Sequence, residues 1–186
     1  MRLVRGVDAP RVRWRNDGGW TREIVRDSLS GESFGWRLSI ADVESDGPFS
    51  AFDGYDRLLV LVAGAGMDLA VAETGEIMRL RPTRRRARFA GESAIAATLI
   101  DGPTTDFNVI WDRDRFHVSE RHDWTNASHV GDADSVVVVH VVSGVVTADG
   151  VVTGVAGDTL ISERGEQAGL AGTGEAIVLL VIQTHD

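Results

Sequence analysis

Polar side chains that could hold a small anion recur on three segments of the chain with the period of a β-strand. Alternation along each segment puts polar residues two positions apart on one face. The pairs that share a face are Thr21 and Glu23, Arg37 and Ser39, and Asp106 and Asn108. The planar guanidinium of Arg37 can make a bidentate hydrogen bond, so this residue is the natural anchor for a carboxylate.

Other residues of the same segments would complete such a binding site. Sites for small molecules are mostly apolar, with a few converging polar groups. Trp20 and Phe49 would supply an aromatic wall, while Asn16, Thr21 and Ser50 would orient neutral ligand atoms. We therefore expect a ligand-binding site for a small carboxylate formed by these residues together with the three polar pairs.

The same residues leave other interpretations open. Arg37 could pair with Glu23 or Asp106 and satisfy a buried polar layer without any ligand. Glu23 or Asp106 could instead act as the acid or base of a metal-independent isomerase or hydrolase. A third hypothesis is an interaction protein that docks an acidic partner through the arginine-rich run Arg81–Arg88. Such a run is more often a solvated edge of a sheet.

The stretch from residue 36 to residue 57 organises the elements that must position these side chains. From Trp36 to Ala41 apolar and polar residues alternate, which predicts a strand with one buried face. Asp46-Gly47-Pro48 then breaks the strand, and the apolar run Leu58–Ala63 predicts a core strand after it. A strand that carries arginine and serine on its second face could wall a polar pocket.

The rest of the chain predicts an all-β fold. Short apolar runs recur between glycine-rich turns, as in sandwiches and barrels. A weak internal repeat, in which Asp56–Gly64 resembles Asp134–Gly144, indicates two related β-modules. We place them at residues 1–115 and 116–186, with N-terminal strands that could be shared. Turns are predicted between strands 135–142 and 145–148, and between strands 167–170 and 175–183.

Composition excludes several kinds of chemistry. The net charge of −9 argues against nucleic acid or an anionic membrane as a partner. The absence of cysteine excludes thiolate chemistry, and because all 19 basic residues are arginine, no lysine can form a Schiff base. The N-terminus lacks the apolar core of a signal peptide, and the apolar runs are too short to span a bilayer as helices. We therefore expect a cytoplasmic protein.

Three segments resemble the HutD/Ves family, a family of bicupin proteins associated with histidine utilisation. They lie at residues 14–24, 36–57 and 101–110, and read Trp-Arg-Asn-Asp-Gly-Gly-Trp-Thr-Arg-Glu-Ile, Trp-Arg-Leu-Ser-Ile-Ala-Asp-Val through Asp-Gly-Pro-Phe-Ser, and Asp-Gly-Pro-Thr-Thr-Asp-Phe-Asn-Val-Ile. Asp17 stands where the family pattern has glycine. The resemblance implies two RmlC-like cupin β-barrel modules. It also implies a protein that binds N-formylglutamate, urocanate or formate and regulates histidine catabolism.

Many cupins bind metal, but the histidines of this chain do not predict a metal site. A metal-binding cupin carries a His-x-His pattern, and none of the five histidines forms one. No Gly-x-Ser-x-Gly elbow indicates a serine nucleophile either. We therefore expect neither metal nor cofactor, and binding in preference to catalysis. The small carboxylate is the expected partner, and a homodimer stays open.

Overall fold

Strands make up almost all the regular structure in the computed structural model, which describes residues 1–28 and 33–184. The elements are β1 (Arg2–Val4), a 3-10 helix (Gly6–Asp8), β2 (Arg11–Arg13), β3 (Gly19–Ser28), β4 (Phe34–Val43), β5 (Gly47–Pro48), β6 (Tyr55–Ala63), β7 (Met67–Val71), β8 (Ile77–Leu80), β9 (Arg86–Ala90), β10 (Ile95–Leu99), β11 (Thr104–Asp112), β12 (Phe116–Arg121), β13 (Ala127–Val130), β14 (Ser135–Ala148), β15 (Val152–Val155), β16 (Thr159–Ile161) and β17 (Ala168–Gln183). The predicted all-β class is confirmed. Within the described ranges, no helix has the length and apolar character needed to cross a membrane.

The chain divides into two compact units. One consists of Pro10–Asp114, and the other combines Met1–Ala9 with Arg115–Asp186. The opening segment belongs to the second unit because β1 pairs with β16 in antiparallel register. The predicted modules at residues 1–115 and 116–186 left open that N-terminal strands are shared, and here residues 1–9 group with the second unit.

The Pro10–Asp114 unit is built from two antiparallel sheets around an apolar core. The six-stranded sheet runs β2-β3-β4-β11-β6-β9, and the four-stranded sheet runs β5-β10-β7-β8. Leu59 and Leu61 of the first sheet and Leu69 and Ile95 of the second belong to one buried cluster. Because both sheets contribute their apolar faces to this cluster, the unit is a β-sandwich.

Strand β4 lies in the interior of the six-stranded sheet, between β3 and β11. Its predicted alternation is observed, although both faces are largely buried: Leu38 is fully buried on one face and Ser39 is 1% exposed on the other. Ser39 is the register partner of Glu23 on β3 and of Asn108 on β11. The polar face of β4 therefore lies beside polar residues of both neighbouring strands.

The other unit contains one seven-stranded sheet whose longest strands are β14 and β17. The two predicted turns at residues 143–144 and 171–174 are wrong, because β14 and β17 run through both positions and pair with each other there. Gly144, Gly172 and Gly174 lie in this pairing, where an added Cβ would come within 2.2 Å of a backbone oxygen on the opposite strand. These glycines permit close approach of two backbones at an irregularity of the ladder, which is one common role of glycine within strands.

Candidate functional site

A cavity of about 710 Å³ lies within the Pro10–Asp114 unit. Its walls come from β2, the loop that follows β2, one face of the six-stranded sheet, and the segment after β5. The lining residues are Val12, Arg13, Trp14, Arg15, Asn16, Thr21, Glu23, Arg37, Ser39, Ala41, Val43, Pro48, Phe49, Ser50, Phe52, Arg57, Leu59, Asp106 and Asn108. The volume is in the range of small-molecule sites.

The register of the sheet sets the polar side chains of neighbouring strands beside one another. Three rows of neighbours cross the sheet: Thr21, Ala41, Asp106 and Leu61; Glu23, Ser39, Asn108 and Leu59; and Arg37, Ile110 and Arg57. Successive rows are two residues apart, which is about 7 Å along a strand. The two arginines therefore lie at one end of this face and Asp106 lies toward the other.

All the predicted site residues except Trp20 line the cavity. Trp20 lies on the opposite face of β3 from Thr21, and its ring packs beneath two guanidinium groups, those of Arg11 at 4.7 Å and Arg13 at 4.9 Å from the ring centroid. The alternation of the strand already separates Trp20 from Thr21 and Glu23. The prediction that Trp20 walls the cavity is therefore wrong.

Trp14 takes the place that was predicted for Trp20. Its ring makes an edge contact with Phe49 at a centroid distance of 6.3 Å, and its Nε1 donates to Oγ1 of Thr21 at 2.7 Å. The loop after Trp14 is held by Asn16, whose Oδ1 accepts from the backbone N of Gly18 at 3.2 Å. Asp17 in this loop has φ of 56°, a left-handed conformation that aspartate tolerates better than most residues. Asp17 is thus compatible with a left-handed position in this loop.

Arg57 is the most consequential lining residue that sequence reasoning missed. It is only 5% exposed, and its Nη1 donates to the backbone oxygen of Ser50 at 3.2 Å. Its guanidinium carbon lies 5.3 Å from the ring centroid of Phe49, 5.6 Å from that of Phe52 and 5.1 Å from that of Phe89. Strand parity offered a signal, because Arg57 shares a face of β6 with Leu59 and closes the matched segment at residues 36–57.

Arg37 and Arg57 are two neighbouring cations at one end of the cavity. Both guanidinium groups lie over the ring of Phe52, that of Arg37 at 5.1 Å. Neither makes an ion pair within 4.0 Å in the part of the chain that the structure describes, and the Nε atom of each is buried without a hydrogen-bond partner there. Glu23, the expected partner of Arg37, instead lies 3.6 Å from Arg26. The alternative in which Arg37 pairs with Glu23 or Asp106 is therefore not observed.

Burial makes both charges costly. It lowers the pKa of Arg57 to about 10, and the nearby charge of Arg37 acts in the same direction. Burial also lowers the pKa of Arg37, against the opposing effect of Glu23. Both groups still carry a proton at neutral pH. Aromatic faces stabilise cations without neutralising them, so the two charges stay available to an anion.

Asp106 and Asn108 form the polar floor of the cavity on β11. Asp106 is fully buried, and its carboxyl group makes a long hydrogen-bond contact of 3.4 Å between Oδ2 and Oγ1 of Thr104, while Oδ1 has no partner among the described residues. Burial raises the pKa of Asp106 to about 8, and the negative charge of Asp42 adds to this effect. Asp106 is therefore mostly protonated at neutral pH. Asn108 is 8% exposed, and its Oδ1 has no partner among residues 1–28 and 33–184.

The four described histidines and the arginine-rich run do not line this cavity. Across the described residues no group of three His, Asp or Glu side chains is placed to hold a metal ion. His140 is buried in β14 beside Oγ1 of Thr159 at 3.0 Å, and His185 lies outside the described residues. Within Arg81–Arg88, Arg81 bonds to Asp68 at 2.6 Å, and Arg88 lies 4.6 Å from the ring centroid of Trp111.

Similarity to a solved structure of low sequence identity indicates the fold of the chain. Protein Ylba from E. coli matches with a TM-score of 0.70 at 9% identity, over 99% of this chain and 91% of that one. At such low identity the likeness shows the fold alone, which is cupin-like. The architecture is therefore that of a cupin-like β-sandwich protein with a cationic cavity.

The chain belongs to the HutD family, whose family model matches residues 7–180. HutD from Pseudomonas fluorescens SBW25, solved in a formate condition, is similar with a TM-score of 0.87 and 33% identity over 99% of both chains. A 21.2 kDa protein in the hutC 3' region of Pseudomonas putida is 44% identical over 62% of this chain, a match that spans only 60% of that relative. Protein Ves of Citrobacter koseri is 36% identical over 70% of this chain and 67% of its own length. The family is linked to the histidine-utilisation locus.

Proposed function

We propose that the cavity binds a small carboxylate and that the protein thereby regulates histidine catabolism. One observation carries the proposal: two guanidinium groups, Arg37 and Arg57, face the cavity without a carboxylate partner among the described residues. An unpaired buried charge is expensive, and a bound anion would repay that cost. Guanidinium groups bind carboxylates with two parallel hydrogen bonds, so a pair of them favours this class of anion.

The remaining lining residues support a site for a metabolite larger than a simple inorganic ion. Trp14, Phe49 and Phe52 provide aromatic surface, and Thr21 and Ser39 provide hydroxyl groups. The link of the family to histidine utilisation and the formate condition of the similar HutD structure indicate which carboxylates to test first. These are formate, N-formylglutamate and urocanate.

Catalysis by Glu23 or Asp106 has less support from the geometry. The two residues lie on β3 and β11, which are separated by β4 and hence by about 10 Å between backbones. Glu23 lies beside Arg26, and Asp106 contacts the hydroxyl of Thr104. A binding role needs only the arrangement of the two arginines, so we propose binding as the function.

Replacing Arg37 by alanine is expected to remove most of the thermal stabilisation that a carboxylate confers. A ligand at tenfold excess over its Kd stabilises the native state by about 1.4 kcal/mol. Loss of a desolvated charged contact costs about 2 kcal/mol or more, which weakens binding about 30-fold. At the same ligand concentration, the shift in melting temperature should therefore fall to a small fraction of the wild-type shift.

The matched control is Arg22→Ala. Arg22 belongs to the same sheet, but it does not line the cavity and lies 3.5 Å from Asp42. A screen of formate, N-formylglutamate, urocanate, glutamate and histidine would be run on wild type and both variants. An undiminished shift in Arg37→Ala, or equal losses in the two variants, would remove Arg37 from the site.

A further inference from the structure

Asp106 and Asn108 each carry a buried side-chain oxygen without a hydrogen-bond partner among the described residues. Both residues are more than nine-tenths buried, both line the cavity, and Oδ1 of each has no hydrogen-bond partner in the ranges that the structure describes. Buried polar atoms are nearly always paired, so two adjacent exceptions require an explanation. Their common property is that each can accept a hydrogen bond.

The position of these acceptors relative to the arginines defines a second end of the site. Asn108 is two residues along β11 from Ile110, the register neighbour of both Arg37 and Arg57. Asp106 lies two residues further. The acceptors are thus about 7 Å and about 13 Å along the strand from the arginine row. A single metabolite of several bonds can reach from one end to the other.

We propose that Asp106 and Asn108 form a subsite for a hydrogen-bond donor of the same ligand, so that the ligand combines a carboxylate with an N–H group several bonds away. This inference rests on the proposed function, because the carboxylate is held by the arginines. A simple carboxylate such as formate would occupy the arginine end alone. The N–H group of a longer ligand would pair with an acceptor that otherwise stays unsatisfied.

Neutralisation of the floor is consistent with this assignment. Burial keeps Asp106 mostly protonated at neutral pH by raising its pKa. A neutral carboxyl group that carries its proton on Oδ2, facing Oγ1 of Thr104, keeps Oδ1 as an acceptor and does not repel the carboxylate that lies on the arginines. Glu23, the other acid that lines the cavity, is 44% exposed and lies beside Arg26. The buried end of the cavity is therefore suited to a neutral hydrogen-bond donor of the ligand and not to a cationic group.

Two carboxylates that differ only in the donor test the inference. The probes are 3-(1H-pyrrol-2-yl)propanoate, which carries a ring N–H, and 3-(furan-2-yl)propanoate, which has oxygen in its place. Wild-type protein should bind the pyrrole about tenfold more tightly by calorimetry, the effect of one hydrogen bond to a buried acceptor. The variants Asp106→Leu and Asn108→Leu should each reduce this preference, which is measured as the ratio of the two affinities within each variant.

A conservative variant supplies the matched control. Asp106→Asn keeps an uncharged acceptor oxygen at this position and should retain much of the preference for the pyrrole. If wild type binds both probes equally and Arg37→Ala weakens both, the subsite is wrong while carboxylate binding stands. If neither probe nor formate binds, or if binding does not depend on Arg37, the proposed function itself fails.

Discussion

Replacing Arg57 by methionine is expected to make the protein more stable and, at the same time, poorer at binding carboxylates. The guanidinium is buried among Phe49, Phe52 and Phe89 with no ion pair to the described residues. Methionine fills similar space and makes favourable contacts with aromatic rings. Removing a buried unpaired charge should raise the free energy of unfolding by about 1–2 kcal/mol.

The lost hydrogen bond from Arg57 to Ser50 opposes this gain, but its cost is small. Ser50 is exposed, so water can replace the guanidinium as the donor to its backbone oxygen. For binding, the loss of a desolvated cation should weaken the carboxylate complex about 30-fold or more. Stability and affinity are thus expected to change in opposite directions, as when a residue is retained for function.

Urea unfolding and calorimetric titration with formate would measure the two effects in Arg57→Met. Arg22→Met is the control, because Arg22 does not line the cavity and lies near a carboxylate, that of Asp42. The control should show no gain in stability and unchanged binding. A destabilised Arg57→Met variant that still binds formate with wild-type affinity would contradict both the energetic argument and the proposed site.

Much of the candidate site could be predicted because strand parity is a local property. The alternation around Arg37 and Ser39 determines which side chains share a face, and the same rule applies to Asp106 and Asn108. Parity also identifies the error at Trp20, whose face is opposite to that of Thr21. Alternation does not predict which strands are neighbours or which residues lie opposite each other, because register depends on pairing between segments distant in sequence.

The features that the sequence did not predict depend on such long-range pairing. Arg57 reaches the cavity because β6 pairs with β11 on the other side from β4. In the sequence Gly144 and Gly172 predict turns, since glycine is the usual turn residue. Their role becomes clear only from the pairing of β14 with β17, because the backbone of the opposite strand occupies the space that a Cβ would need at each glycine.

The stability of the protein should fall between pH 6.5 and pH 8 because of Asp106. Its pKa is about 8 in the native state, whereas an unfolded aspartate has a pKa of about 3.9. Between these values the native state binds more protons than the unfolded state. The contribution of Asp106 to stability is therefore complete below about pH 4 and decreases by about 1.4 kcal/mol per pH unit until about pH 8.

His140 contributes with the opposite sign, in a different range. Burial lowers its pKa to about 4, so its contribution is complete above its ordinary value of 6.5 and is lost as the pH falls through the native pKa. The contributions of Asp106 and His140 to stability change in opposite directions between about pH 4 and 6.5, and above pH 6.5 only that of Asp106 still changes. The range from pH 6.5 to 8 is consequently the one in which Asp106 is best isolated.

The measurement compares wild type with Asp106→Asn by urea unfolding at pH 6.5, 7.25 and 8. Asparagine has nearly the same shape, can accept from Thr104 and cannot ionise. The difference in stability between the two proteins cancels the contribution of His140 and of every other group that titrates alike in both. The effect of the Asp42 charge on Asp106 does not cancel, because the substitution removes the group on which it acts. The variant should gain stability relative to wild type as the pH rises. A difference that stays constant across this range would show that Asp106 ionises normally, and the neutral floor proposed for the cavity would then be wrong.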